Sequence, residues 1–181
     1  MKTRPLYLVI GMLTLSVLAL PSAHAQQGNA AQKAYYTAIA AETAGDVDGA
    51  QASYERVLKL NPRHAEARYR LGQLKINRDK IVARAQERKI SRVKIAEFRV
   101  EDAEFGDAVK ALGIHIENAT KDREEQVLPN FIIQDPSNTL AKSKVTLRMR
   151  QAPSGEILKH MLQMVNAKVR YDQHAVVIMP R

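Results

Sequence analysis

From Ile90 to Pro180 the spacing of apolar residues switches repeatedly between two and three to four, so this stretch must fold as short strands interleaved with helices. Val93 and Ile95 flank Lys94, and Phe98 and Val100 flank Arg99, with Ala96-Glu97 marking a shift between the pairs. That pattern predicts an opening strand with a bend. Asp102 stands where a helix N-cap belongs, and Phe105, Ala108, Val109, Leu112 and Ile116 then fall on one helical face. Asn130 to Ile133 reads as a short apolar strand, and Gln134 to Ser143, with Pro136 and Asn138, as a loop.

Lys144 to Arg150 alternates cleanly, with Val145, Leu147 and Met149 inward and Thr146, Arg148 and Arg150 outward. Pro153 suits the first turn of a second helix, whose face is Ile157, Leu158, Met161, Leu162 and Val165, with Asn166 at its C-terminal cap. A hairpin follows: Val169 and Tyr171, a turn at Asp172-Gln173-His174, and the return strand Ala175 to Met179. Val176 to Met179 is apolar on both faces, as an inner strand requires. The expected order is βαββαββ, an α+β unit with helices packed on small sheets.

Lys2 and Arg4 precede an uninterrupted apolar run from Leu6 to Leu20, then Pro21 and Ala23-His24-Ala25, the anatomy of a secretory signal peptide cleaved between Ala25 and Gln26. Fifteen residues rise only about 22 Å as a helix, short of the roughly 30 Å hydrocarbon core, so a retained anchor is the weaker alternative. The mature chain is expected in the periplasm, without stable membrane insertion once the signal is cleaved. With no cysteine it has no disulfide framework, thiol nucleophile or lipid attachment through an N-terminal cysteine. The formal net charge of +9 is concentrated: Arg63 to Lys94 holds 11 Lys or Arg against Glu66, Asp79 and Glu87. Such localisation describes a basic helix rather than a basic protein, and it suits an acidic protein surface or an anionic membrane.

Gln26 to Gln32, together with Lys33, reads as a flexible stretch (26–33), and residues 34–88 as a helical region. Ala34 to Glu42 is alanine-rich and helical in pattern, Gly45-Asp46 supplies a turn, and Ala50, Tyr54, Val57 and Leu58 recur at helical spacing up to Asn61-Pro62. Two antiparallel helices are the natural solution. Gly45 to Pro62 resembles the second half of a tetratricopeptide repeat, with small Ala50 allowing close helix approach and Tyr54 filling the space beside it. In the first helix Ala34, Thr37, Ala38 and Ala41 replace the larger residues of that pattern. Leu71-Gly72 restarts it, but Asp79 stands where the next glycine turn belongs, so one long helix from about Ala65 to Arg88 is expected. A unit and a half cannot bury its own stacked face and must lean on something, the C-terminal unit for preference or else a partner helix bound in the groove.

Residues 89–181 carry a second resemblance. Ile95 to Phe105 with Asp107-Ala108-Val109, Val145 to Pro153 with Glu156-Ile157-Leu158, Val169-Arg170-Tyr171 and Ala175 to Pro180 are similar to the secretin and TonB short N-terminal (STN) domain. The nearest likeness is to the N-terminal region of secretins of type IV pilus or type II secretion machines, some of which place helical repeats before this domain. The resemblance implies a non-enzymatic docking module; all the matching positions are structural, so it transfers no functional residue. With Arg181 as the last residue, the expected role is an adaptor or assembly component rather than the pore.

No histidine metal spacing, phosphate loop or nucleophile elbow occurs, so neither an enzyme nor a cofactor is expected. Glu156 and His160 are one helical turn apart and read as a surface pair. Met161, Met164 and Met179 read as core filling. Nucleic acid is disfavoured by export and by Tyr69 being the one aromatic among the basic residues. The expected partners are secretin or pilus assembly proteins, with a homo-oligomer left open. The alternative is an envelope signalling module contacting a TonB-dependent receptor or an anti-sigma protein. Two surfaces are candidates for contact: the basic helix, through Arg68, Lys75, Arg78 and Arg84, and an open sheet edge available for strand addition.

Overall fold

The computed structural model describes residues 23–181. Three helices come first: α1 (Ala23–Ala44), α2 (Val47–Leu60) and α3 (Ala65–Ser91). The α+β unit follows as β1 (Lys94–Glu104), α4 (Phe105–Thr120), β2 (Phe131–Ile133), the single turn α5 (Thr139–Lys142), β3 (Lys144–Pro153), α6 (Ser154–Met164), β4 (Ala167–Tyr171) and β5 (Val176–Pro180). The fold class is α+β, and the βαββαββ order is as read, with α5 added in the loop before β3. The apolar run Leu6–Leu20 lies outside the described residues. The expected cleavage point, Ala25-Gln26, falls in the first turn of α1, and the stretch read as loose, 26–33, is helical backbone of α1.

The helical half closes around one small core. Ala34 and Ala38 of α1, Val47, Ala50, Tyr54 and Val57 of α2, and Ala67 and Leu74 of α3 bury together. Ala38 and Ala50 are both fully buried, so alanine lets the two helices pack closely while the Tyr54 ring fills the space beside them. Gly45 makes the turn with φ +84, a conformation natural to glycine. Asp46 then caps α2, its carboxylate accepting the Gly49 N–H at 2.9 Å.

α3 is the one long helix expected, ending three residues later at Ser91, and it carries a bend. At Asn77 the backbone leaves helical geometry (φ −113, ψ 19), and the Asn77 amide donates to the Gln73 carbonyl and side chain at 3.3 and 2.8 Å. An amide that competes for the carbonyl of the previous turn bends a helix there. Past the bend the chain continues instead of folding back. Ile81 and Val82 pack on the helical core, and a Cβ at Gly45 would stand 2.6 Å from the Ala85 Cβ. Within the helical half α3 therefore covers the turn between α1 and α2, and contact with the C-terminal unit falls to its far end.

α3 reaches that unit with its last turn. Ile90 is buried in the C-terminal core, two residues beyond the expected end of the helical region. Ser154, at the start of α6 and 1% exposed, donates its hydroxyl to the Ile90 carbonyl at 2.5 Å, and its N–H donates to the Val93 carbonyl at 2.8 Å. The Ile90 carbonyl, in the last turn of α3, also accepts the Val93 N–H at 3.3 Å, so the helix end and the start of α6 are tied at two adjoining points. A Cβ at Gly155 would meet the Ser91 Cβ at 2.6 Å, so the two helix ends are in close contact.

β1 and β3 pair antiparallel as a two-stranded ribbon, while β2, β5 and β4 form a second sheet with β5 central, parallel to β2 and antiparallel to β4. Val176, Val177 and Ile178 are buried, as an inner strand requires. The ribbon changes its buried side where the sequence suggested a bend: the ladder passes from Ile95↔Ala152 to Glu97↔Arg150 across Gln151, whose φ is +50. Asp102 is not the N-cap of α4. It sits at φ +49 in a bulge between Val100 and Ala103, its N–H donating to the Thr146 hydroxyl at 2.9 Å, and α4 starts three residues later. Pro153 likewise precedes α6 rather than opening it.

The two strand-to-helix units repeat one another at an offset of 49 residues. Asp102-Ala103 and Gln151-Ala152 each place a left-handed residue before an alanine, and Gly106-Asp107 and Gly155-Glu156 open the following helices. Phe105, Ala108, Val109, Leu112 and Ile116 of α4 and Ile157, Leu158, Met161 and Leu162 of α6 fill the core as predicted. Met164 is instead half exposed. The connection after α4 is pinned by Thr120, fully buried, whose hydroxyl accepts the Val127 N–H at 3.0 Å and donates to the Ile116 carbonyl at 2.9 Å. Asn166 adopts φ +52 just past α6, the left-handed cap its position suggested.

Candidate protein-docking surface

α3 carries the four basic residues singled out in the sequence, but it does not present them as one patch. Arg68 and Lys75 are seven residues apart on the segment before Asn77 and so share a face. Lys75 has no hydrogen-bond partner among the described residues, while Arg68 donates to the Pro62 carbonyl at 2.6 Å. Arg78 is committed elsewhere: its guanidinium grips Asp48 of α2 with two bonds of 2.9 and 3.0 Å. That fork holds the Asp48 carboxyl below the usual carboxylate range, first by hydrogen bonding and then by charge. Arg84 lies beyond the bend beside Glu42 and Thr43, at the C-terminal end of α1.

Other members of the basic run are structural. Arg70 bridges Glu66 at 2.8 Å and Glu42 at 3.4 Å, and Glu42 accepts the Tyr54 hydroxyl at 2.7 Å. One polar cluster thus ties all three helices together. Burial, then the adjacent Glu42 carboxylate, pushes the Tyr54 phenol well above its ordinary range. Arg88 donates to the Thr43 carbonyl at 2.6 Å, and Lys89 pairs with Glu125, so α3 is also strapped to the α1 terminus and to the loop after α4. Arg88 and Lys89 stand in the last turn of α3, where cations oppose the helix dipole.

The sequence reading missed the apolar residues on the outside of α3. Ala67 and Leu74 face the core, while Ala65, Tyr69, Gly72 and Ile76 recur at intervals of four, three and four, about half a turn away. Tyr69 is 63% and Ile76 77% exposed, and a Cβ at Gly72 would touch nothing. The spacing is present in the sequence, where Gly72 belongs both to this exposed stripe and to the Leu71-Gly72 pair of the repeat pattern.

The second predicted surface is an open strand edge, and β4 provides one. The Asp172 N–H donates to the Ala175 carbonyl and the Arg181 N–H to the Asn166 carbonyl, so alternation along the ladder leaves the backbone groups of Ala167, Val169 and Tyr171 pointing away from β5. They border a groove of about 560 Å³ between the end of α3, α6 and β4, with Leu158 and Leu162 among its apolar walls. The Ser91 and Tyr171 hydroxyls, 3.3 Å apart, stand at one end of it.

Two histidines outside these surfaces have structural work. His64 caps α3, its Nδ1 accepting the Ala67 N–H at 3.2 Å, and His115 lies edge-on to Phe98 with ring centres 5.6 Å apart. Glu156 pairs with Lys159 rather than His160. Among the described residues no helix is long and apolar enough to cross a membrane.

No curated protein and no solved structure matches the chain. The family profile of the tetratricopeptide repeat matches residues 41–83, from the end of α1 to the middle of α3. Residues 41–83 therefore carry a tetratricopeptide-like repeat, a unit that generally mediates contact between proteins.

Proposed function

We propose that this chain is an exported, non-enzymatic adaptor of the bacterial envelope, which docks other proteins onto a secretin-containing type IV pilus or type II secretion-like apparatus. The observation that carries the reading is the joining, through one helix, of a tetratricopeptide-like repeat to a βαββαββ unit. The sequence likeness of the second unit to the STN domain supports the secretin side of the reading, and the leader-like first 25 residues support export. In this role the helical half recruits one protein while the sheet half engages the machine.

Mild crosslinking in intact cells followed by co-purification of the tagged full chain tests it. Recovery of secretin or pilus assembly proteins, and a secreted form whose N-terminus is Gln26, are the expected results. Purification with no envelope secretion or pilus protein refutes the assignment.

A further inference from the structure

The first repeat shows what the second one lacks. Tetratricopeptide units recur every 34 residues or so, and 34 residues before Tyr69, Gly72 and Ile76 stand Tyr35, Ala38 and Glu42 of α1. All three are covered by α2. Tyr35 lies against Tyr54 with ring centres 6.0 Å apart, Ala38 is fully buried in the core with Ala50, and Glu42 accepts the Tyr54 hydroxyl. On α3 the same three positions face solvent, because the chain runs on past Asn77 where a second repeat would turn back.

We propose that the first half of α3 is a docking site for one amphipathic helix of a partner protein, lying antiparallel on Tyr69, Gly72 and Ile76 as α2 lies on α1. This deepens the adaptor reading and rests on it. Gly72 admits a close backbone approach, as Ala38 does beneath α2. Charge selects the partner: Arg68 and Lys75 line one flank of the stripe, so the incoming helix carries Glu or Asp on the side that meets them. A second copy of the chain packed antiparallel through this stripe would set Arg68 and Lys75 against their own counterparts, which disfavours self-association.

The test uses two synthetic helical peptides of about four turns with the same leucine and tyrosine seam, one flanked by glutamates and one by lysines, titrated against the full mature chain by fluorescence anisotropy. The glutamate peptide is expected to bind at least tenfold more tightly than the lysine peptide. Ile76→Glu and Gly72→Gln, both at exposed positions, are each expected to weaken it at least tenfold with the circular dichroism spectrum unchanged, and Lys75→Glu is expected to abolish the preference for the acidic probe. Equal binding of the two peptides, or undiminished binding to Ile76→Glu, overturns the site. So does a concentration-dependent dimer that Ile76→Glu dissolves, since the stripe then serves a second copy. Failure here leaves the co-purification result untouched, so the docking site and the adaptor role fail separately.

Discussion

Replacing Gly45 by alanine probes whether α3 continues past its bend to cover the turn between α1 and α2. At φ +84 an L-residue costs about 1–2 kcal/mol relative to glycine. The added methyl would also stand 2.6 Å from the Ala85 Cβ, well inside contact distance, and relieving such overpacking costs typically about 1–3 kcal/mol. Gly45→Ala should therefore destabilise the chain by about 2–5 kcal/mol, measured by urea unfolding. Ala85→Gly removes the obstructing methyl at an intrinsic helix cost of about 1 kcal/mol. Combined with Gly45→Ala it should remove the collision term, giving a coupling of at least about 1 kcal/mol in a double-mutant cycle. Strict additivity would refute the placement of α3. A helix that folded back at Asp79, as in a complete second repeat, would not bring Ala85 to Gly45 and would show no coupling.

Tyr54→Phe keeps the ring but removes the hydroxyl that Glu42 accepts, and should cost about 1.5–3 kcal/mol, read by thermal unfolding. Because the folded-state Tyr54 pKa lies above its unfolded value of 10.0, its contribution is fully present below pH 10 and is lost as pH rises beyond that. The wild type should lose stability more steeply than Tyr54→Phe above pH 10, and parallel curves would remove Glu42 and burial as the cause. Ser154→Ala removes the hydroxyl donated to the Ile90 carbonyl, which keeps the Val93 N–H, and should cost about 0.5–1.5 kcal/mol, with hydrogen exchange rising in the last turn of α3 and the first turn of α6. Ile157→Ala, at a fully buried position of α6, should cost about 2–5 kcal/mol, measured by the same urea unfolding.

Most of the α+β unit was legible in the sequence because its faces are narrow and regular. The α4 and α6 residues chosen by spacing are the ones that bury, and the apolar run Val176 to Met179 marked the central strand. Asp102 was misread because a bulge in β1 adds residues before the helix, and an aspartate in a left-handed bulge looks in sequence like an aspartate at a cap. α3 was harder for a different reason. Its bend depends on one amide, Asn77, reaching back to Gln73, and its course beyond depends on the fit of Gly45 to Ala85, a contact between residues 40 apart. The basic residues were visible, but pattern alone did not separate those held by Asp48, Glu42 or Glu125 from those left free, because their partners lie on other elements.

Leu74 is rooted in one core and Ile90 in the other, so α3 is shared by both cores, and Ile81 and Val82 keep it on the first of them beyond the bend at Asn77. The end of α3 abuts Ser154 and Gly155, where a side-chain hydrogen bond and the missing Cβ of Gly155 bring the two helix ends together. The route from the tetratricopeptide-like repeat to α6 and the sheet thus runs through one helix packed at both ends.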